Sequence, residues 1–280
     1  MNKFQFTAYT ALTMIAFSGN SMLCRMALKE TNIDATSYTS IRLISGAVIL
    51  SILMSRQRKN PLKQGTWHGA AALFIYAISL SFAYRSINAG AGALVLFGAV
   101  QLTMILAGFI TGERMRKIQV LGFVGALVGL VLLVLPSVAA PSILDSMLML
   151  VSGISWGVYS LFGRKQSDPI TATAGNFLRA GLLTIITSIL TLHWLQLDTM
   201  GIYYAVLSGA VTSGMGYVLW YLVLQHMSAI TASTIQLSSP LLTTLGGVVI
   251  LGEALTRNLL VASLLILGGI SLVLRYGKSR

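Results

Sequence analysis

Apolar residues in this sequence come in runs of about 20, separated by short polar stretches that carry most of the charge. At about 1.5 Å per residue, such a run wound as a helix crosses a hydrocarbon core of about 30 Å. Ten spans fit the pattern, at about 5–24, 36–55, 66–86, 90–111, 118–136, 143–163, 171–193, 200–223, 229–251 and 258–275. Turn-forming residues mark the boundaries: Asn60-Pro61 in the second loop, Pro136 and Pro141 around the midpoint, and Asp168-Pro169 before span seven. No loop is long enough to hold a soluble domain. The expected fold is an all-α polytopic membrane protein.

The chain also repeats itself. Shifted by 140 positions, Ala89–Leu135 falls on Ala229–Arg275, with Leu102-Thr103 on Leu242-Thr243, Ile110 on Ile250, Gly112-Glu113 on Gly252-Glu253 and Gly129 on Gly269. Leucines match cheaply in apolar sequence, but the chain has only seven acids and two of them coincide here. A second register lays Ser18 on Ser155 and Arg42 on Arg179. These matches divide the chain into 1–140 and 141–280, five spans in each. Five is odd, so the second half must enter the membrane from the opposite side to the first. The ten transmembrane helices are thus expected as two inverted five-helix repeats, an arrangement that in secondary transporters holds substrate near the bilayer middle.

Composition excludes the main alternative. The chain is 55% hydrophobic and 9% charged with a mean hydropathy of +0.81, whereas a soluble domain carries about 25% charged residues. A net charge of +12 would suggest nucleic acid in a soluble protein. Here the cations sit in short loops, where they set orientation, and no nucleic acid partner is expected. With the N-terminus inside, thirteen Lys and Arg side chains fall on the inner face, Lys3, Arg56, Arg114, Arg164 and Arg275 among them. Arg25, Lys29, Arg85 and Arg257 fall on the outer face, so both termini are expected in the cytoplasm. Met1–Leu23 reads as an uncleaved first helix, since no small-residue cleavage site follows. The single cysteine, Cys24, excludes an internal disulfide and a thiolate metal cage. His68, His193 and His226 lie at span ends without metal-pair spacing, so neither metal nor cofactor is expected. No acid falls near mid-membrane, which argues against a buried carboxylate proton relay.

Several features together resemble one family. They are the two five-span halves, Ser18-Gly19-Asn20 echoed by Ser155-Trp156-Gly157, an arginine in spans two and seven, and fourth and ninth spans ending in Gly-Glu. In this the chain is similar to EamA-type proteins of the drug/metabolite transporter superfamily, and the resemblance covers essentially the whole sequence. It implies two EamA-like repeats, a bacterial inner-membrane permease, usually an exporter of amino acids or related small metabolites, and a central cavity lined by spans one, three, four, six, eight and nine. Span nine carries Ser239-Pro240, while the corresponding Ala99-Val100 of span four lacks proline, a departure from a symmetric pair of proline-broken helices.

Polar and aromatic groups inside the spans are the candidate substrate contacts, because each needs a partner away from water. They are Asn20, Tyr76, Ser79, Gln101, Trp156, Tyr159, Tyr217, Gln236 and Ser239. Gln101 and Gln236 stand out as mid-helix amides with both donors and acceptors; helix-to-helix hydrogen bonds are their alternative use. Trp67, Trp194, Trp220 and Tyr221 sit near span ends, where an interfacial belt is the expectation.

Arg42 and Arg179 lie inside their spans, where an unpaired cation costs about 2.5–3.5 kcal/mol. A structural lock onto carbonyls or a neighbouring Glu is favoured for both over an anionic ligand. Glu113 and Glu253 end their helices beside basic residues; solvated end charges are the default for them, with a gating latch the alternative. Gly122, Gly125, Gly129, Gly268 and Gly269 point to close helix packing within the chain, or to a homodimer seam in place of a monomer. The functional expectation is transport of a small-molecule metabolite across the lipid bilayer by alternating access. An intramembrane enzyme acting on lipid-linked substrates and a non-transporting scaffold are the alternatives, and the sequence offers no cluster of ionisable groups for the enzyme.

Overall fold

The computed structural model describes residues 1–87, 89–134, 142–251 and 257–276, and every regular element among them is helical. The helices are α1 (Lys3–Glu30), α2 (Ala35–Arg56), α3 (Trp67–Tyr84), α4 (Ala89–Ile110), α5 (Lys117–Val134), α6 (Ile143–Gly163) and α7 (Pro169–Leu190), then α8 (Thr199–Leu207), α9 (Gly216–Leu224), α10 (Ala229–Gln236), α11 (Ser238–Leu251) and α12 (Arg257–Tyr276). Among the described residues seven segments are long and apolar enough to cross a membrane, against the ten spans expected: α1, α2, α3, α6, α7, the continuous Thr199–Leu224 and α12. Val95–Ile110 and Lys117–Leu132 are shorter apolar stretches. The expected ninth span is divided at Leu237 into α10 and α11.

Local chemistry explains where the helices start and break. Asn2 and Gln5 form a reciprocal capping box on α1, and Asp34, Thr66, Ser142, Asp168, Asp198 and Ser228 each accept a backbone N–H at the start of the next helix. Pro240 has no N–H to give to the carbonyl of Gln236, and the Leu237 N–H turns back to Thr234 instead, at 3.1 Å. Span four lacks a proline, and α4 runs through without a break. Between α8 and α9 the chain widens into a π-helical stretch, Ser208–Met215, rather than breaking. Pattern reading missed this widening, because it leaves the apolar run intact.

Burial is inverted relative to a soluble protein. Leucine, isoleucine and valine cover the perimeter, as at Leu106, Leu121, Ile186 and Leu264. The interior collects Phe17, Tyr38, Arg42, Tyr76, Trp156, Tyr159, Phe177, Tyr217, Trp220 and Tyr221. With lipid outside, apolar side chains gain nothing by hiding, so close packing and polar contacts hold the helices together. Several seams join the sequence halves, with α6 packed against α3 and α4 among them. In one, α5 meets α12 where Gly122 and Gly129 leave room for Leu272, Leu265 and Ile266, and a Cβ on Gly269 would collide with the Gly122 carbonyl. Gly125 and Gly268 face open space. In another, α2 meets α7, with Ser40 and Ser188 hydroxyls 2.8 Å apart.

Candidate functional site

A small cavity lies at the centre of the bundle, about 30 Å³ in volume. Its wall takes Phe17, Asn20 and Ser21 from α1, Tyr76 and Leu80 from α3, Leu96, Phe97 and Val100 from α4, Trp156 from α6, Tyr217 from α9, and Gln236 and Ser239 from α10 and α11. Both sequence halves contribute. A cavity of this size has room for about one water. Aromatic rings form much of the wall: the Trp156 ring lies 4.9 Å from Tyr76, 4.7 Å from Tyr217 and 5.2 Å from Phe17.

One polar network reaches this wall, and it is built around Arg42, which is fully buried on α2. Its Nε donates to Ser213 Oγ at 3.0 Å. Its Nη2 donates to Tyr217 Oη at 2.7 Å and to Tyr76 Oη at 3.4 Å. Its Nη1 has no hydrogen-bond partner. Asn20 orients the surrounding hydroxyls: its Oδ1 accepts from Ser208 at 2.7 Å and from Ser213 at 3.2 Å, and its Nδ2 donates to Tyr76 Oη at 3.5 Å. Gly209 lets the π-helical stretch come this close, since a Cβ there would run into the Arg42 carbonyl. Such wide turns are frequent at functional sites, and this one brings Ser213 to the arginine and both Ser208 and Ser213 to Asn20.

Gln236 also faces the cavity, with Oε1 accepting from Trp156 Nε1 at 2.6 Å and Nε2 close to Met104 Sδ at 3.3 Å. Of the candidates read from sequence, the structure gathers Asn20, Tyr76, Trp156, Tyr217, Gln236 and Ser239 on the wall. It places Gln101 elsewhere: the amide donates across to the Ser233 carbonyl at 2.6 Å, and its Oε1 is buried without a partner. Tyr159 and Ser79 are buried outside the lining. The apolar wall residues Phe17, Leu96, Phe97 and Val100 had no signal in the sequence, because such residues are everywhere in it. Ser213 did have one, the small polar run Ser208–Gly214.

From the cavity toward the end of the bundle that carries Arg56 and Arg164, the structure closes in layers. Trp220 and Tyr221 are wholly buried there rather than part of an interfacial belt. Trp220 Nε1 donates to Ser160 Oγ at 3.0 Å and Tyr221 Oη to the Tyr159 carbonyl at 2.9 Å, so each buried polar tip has a partner. Trp67 and Trp194 are exposed.

Glu113 is also not the solvated end charge expected of it. Gly112, at φ +85°, ends α4 in the left-handed conformation that glycine tolerates. The turn folds Glu113 back over α10, where the carboxylate accepts from the backbone N–H of Ala229 at 3.0 Å and of Ile230 at 3.2 Å. Arg164, at the end of α6, pairs with it at 2.9 Å, and both side chains are almost completely covered. Glu253 lies outside the described residues.

Arg179 is held differently from Arg42. It donates to the carbonyls of Gln64, Gly175 and Leu62 at 3.0, 3.0 and 3.1 Å, and its guanidinium lies 5.9 Å from the centre of the Trp67 ring. Nearby, Lys59 pairs with Asp168 at 2.7 Å. Burial works against the charged form of Asp168, but hydrogen bonds from Lys59 and Thr171 and the charge of Lys59 together outweigh it and hold the carboxyl below the ordinary value. Among the described residues no group of His, Cys, Asp and Glu is arranged to hold a metal.

The chain is 49% identical to the uncharacterized protein PA1977 of Pseudomonas aeruginosa, over 96% of this chain and 95% of that one. It is 26% identical to the "Probable amino-acid metabolite efflux pump" of Salmonella typhimurium, over 65% of this chain and 66% of that protein. The uncharacterized transporter YoaV of Bacillus subtilis is 22% identical over 83% of this chain and 85% of its own length. A protein of known crystal structure shares the fold with a TM-score of 0.82 at 20% identity, covering 99% of both chains. The sequence pattern of the EamA-like transporter family fits residues 7–135 and fits again over 145–275. A helical bundle with a cavity walled by both halves, and a family pattern that occurs once in each half, lead to one conclusion: this multi-pass membrane protein belongs to the EamA-like transporter family.

Proposed function

We propose that the protein exports amino acids or related small metabolites from the cytoplasm by alternating access through the central cavity. The observation that carries this reading is a cavity walled jointly by residues of both sequence halves, with aromatic faces and a few oriented polar groups, the composition expected of a small-molecule site. The efflux-pump name of the Salmonella relative supports outward transport of amino-acid metabolites. In this reading 1–140 and 141–280 are five-span repeats inverted about an axis in the membrane, and the protein sits in a bacterial inner membrane with both termini in the cytoplasm. The end sealed by Trp220, Tyr221 and the Glu113–Arg164 pair is then the cytoplasmic one. Rocking of the halves would part this seal and widen the cavity.

The test is flux in proteoliposomes loaded with a labelled amino-acid panel, comparing wild type with Gln236→Leu and Gln101→Leu. Flux in the wild type and a severalfold loss in Gln236→Leu are expected. Gln101→Leu should fall less, since that amide faces α10 rather than the cavity. No flux for any solute would end the transport reading, and equal flux in all three proteins would remove Gln236 from the site. Cysteine tagging at residues 2 and 279 in intact cells tests the topology; labelling of either end from outside would refute it.

A further inference from the structure

Arg42 is, among the described residues, a cation without an anion. Among the described residues the ion pairs are Lys59–Asp168 and Arg164–Glu113, and neither involves Arg42. Of the other described acids, Asp34, Asp145 and Asp198 are engaged at the starts of α2, α6 and α8, and Glu30 is exposed at the end of α1. Three hydroxyls supply the partners that Arg42 has. Hydroxyl dipoles solvate a guanidinium but do not neutralise it, and one terminal nitrogen is left with nothing to bond.

The hydrogen bonds around it also converge in an unusual way. Arg42 Nη2, Tyr217 Oη and Asn20 Nδ2 all donate toward the same atom, Tyr76 Oη, at 3.4, 3.2 and 3.5 Å. These are long contacts, and a neutral phenol oxygen has only two lone pairs to answer three donors. A carboxylate oxygen accepts more bonds, shorter and stronger, from such donors. Tyr76, Tyr217 and Asn20 all belong to the cavity wall, so the convergence point is reached from the cavity. The rest of the wall is mostly aromatic and aliphatic, with Ser21, Gln236 and Ser239 its neutral polar members, and it contains no acid that would attract an ammonium group.

We infer that Arg42, Tyr217 and Asn20 form a carboxylate-binding subsite whose place is held, in this conformation, by the Tyr76 hydroxyl, and that the cavity selects a monocarboxylate with an apolar or aromatic body. Entry of the carboxylate moves Tyr76 aside and gives Arg42 Nη2 its missing anion. An amino group on the ligand is tolerated but not required. This deepens the reading of the cavity as a substrate site by naming the group that is recognised and the residue that recognises it.

The test uses the full chain purified in detergent, with ligand binding read from thermal stabilisation during titration. The probes share a phenyl body and differ only in the polar end: 3-phenylpropionate, phenylalanine, phenethylamine and 3-phenylpropionamide. In the wild type the two carboxylates should bind at least about tenfold tighter than the amine and the amide, as expected for one charge-assisted contact in a buried site. Arg42→Gln should abolish that preference and Arg42→Lys should keep part of it.

Equal binding of amine or amide and carboxylate, no binding by any probe, or a full carboxylate preference in Arg42→Gln would each overturn the inference. If Arg42→Gln does not fold, the wild-type series alone decides. Flux measured separately on the same probes keeps the two readings apart. Carboxylate-selective binding without flux would sink transport and leave the subsite standing, while flux without carboxylate preference would do the reverse.

Discussion

The two intramembrane arginines occupy matching places in the two sequence halves, yet the chain treats them in opposite ways. Arg179 on α7 is half-buried and spends its donors on three backbone carbonyls, two of them in the 61–66 loop. It locks that loop to the bundle. Arg42 on α2 is fully covered, has no hydrogen bond to a carbonyl or acid among the described residues, and rests against hydroxyls of which two, Tyr76 and Tyr217, line the cavity. The surroundings explain the difference. After α2 the chain makes a short 3₁₀ turn, Pro61–Lys63, that folds against α7 and offers free carbonyls. Against α2 packs the π-helical Ser208–Met215, whose carbonyls are used within the helix and whose Ser213 and Ser208 bond to the arginine and to Asn20 respectively. Duplication therefore preserved the cation in each half but not its partner, and the partner sets what each cation does.

Breaking the cation that does have an acid should cost most. Glu113→Gln leaves Arg164 covered and unpaired and weakens two backbone bonds at the start of α10. Removing one member of a buried pair costs about 3–5 kcal/mol, so its apparent melting temperature should show the largest drop of the set. Arg179→Met comes next, at about 2 kcal/mol, because charge-assisted bonds to carbonyls are lost while the loop remains partly solvated. Its ligand selectivity should match the wild type, and a change there would erase the contrast drawn above.

Arg42→Met should shift stability by no more than about 1 kcal/mol, since burying the unpaired cation is itself costly and Ser213 and Tyr217 keep their bonds to Asn20 and Tyr76. Its carboxylate selectivity should vanish. A melting loss as large as that of Arg179→Met would show that Arg42 is a lock as well.

The smallest effect belongs to Lys59 and Asp168, which are partly exposed; such pairs contribute about 0.2–1 kcal/mol. The Asp168 carboxyl is held lower in the folded protein than in the unfolded chain. Its contribution is therefore fully present above the unfolded value and fades as pH falls through the folded one. Lys59→Met should lower stability by that amount at pH 7 to 8 and by progressively less as pH falls, so that the acid side of its stability–pH curve is flatter than the wild type's.

Hydrophobic runs and turn residues located the helices well because both are local properties: Pro169 opens α7, Ser142 caps α6, and Gly112 ends α4. The site was only partly legible. A polar side chain in an apolar span must find a partner, but whether that partner is a ligand or the next helix depends on the rotation of the helix about its axis. Gln101 and Gln236 look alike in sequence, yet one turns to the Ser233 carbonyl and the other to the cavity. Trp220 and Tyr221 sit near a span end by count, but the π-helical stretch and the small Gly163 beside Tyr221 let both pack inward. Arg42 could be read as a cation in need of an offset; that the offset would be hydroxyls rather than a carboxylate depended on folding.

A chamber with room for about one water has no vacant berth in which a solute could wait. On the transport reading, whatever enters must find or force a wider form, so a measured dissociation constant would be the intrinsic one divided by the fraction of molecules already dilated. Trimming a wall residue such as Leu96 would then tighten binding without adding a single contact.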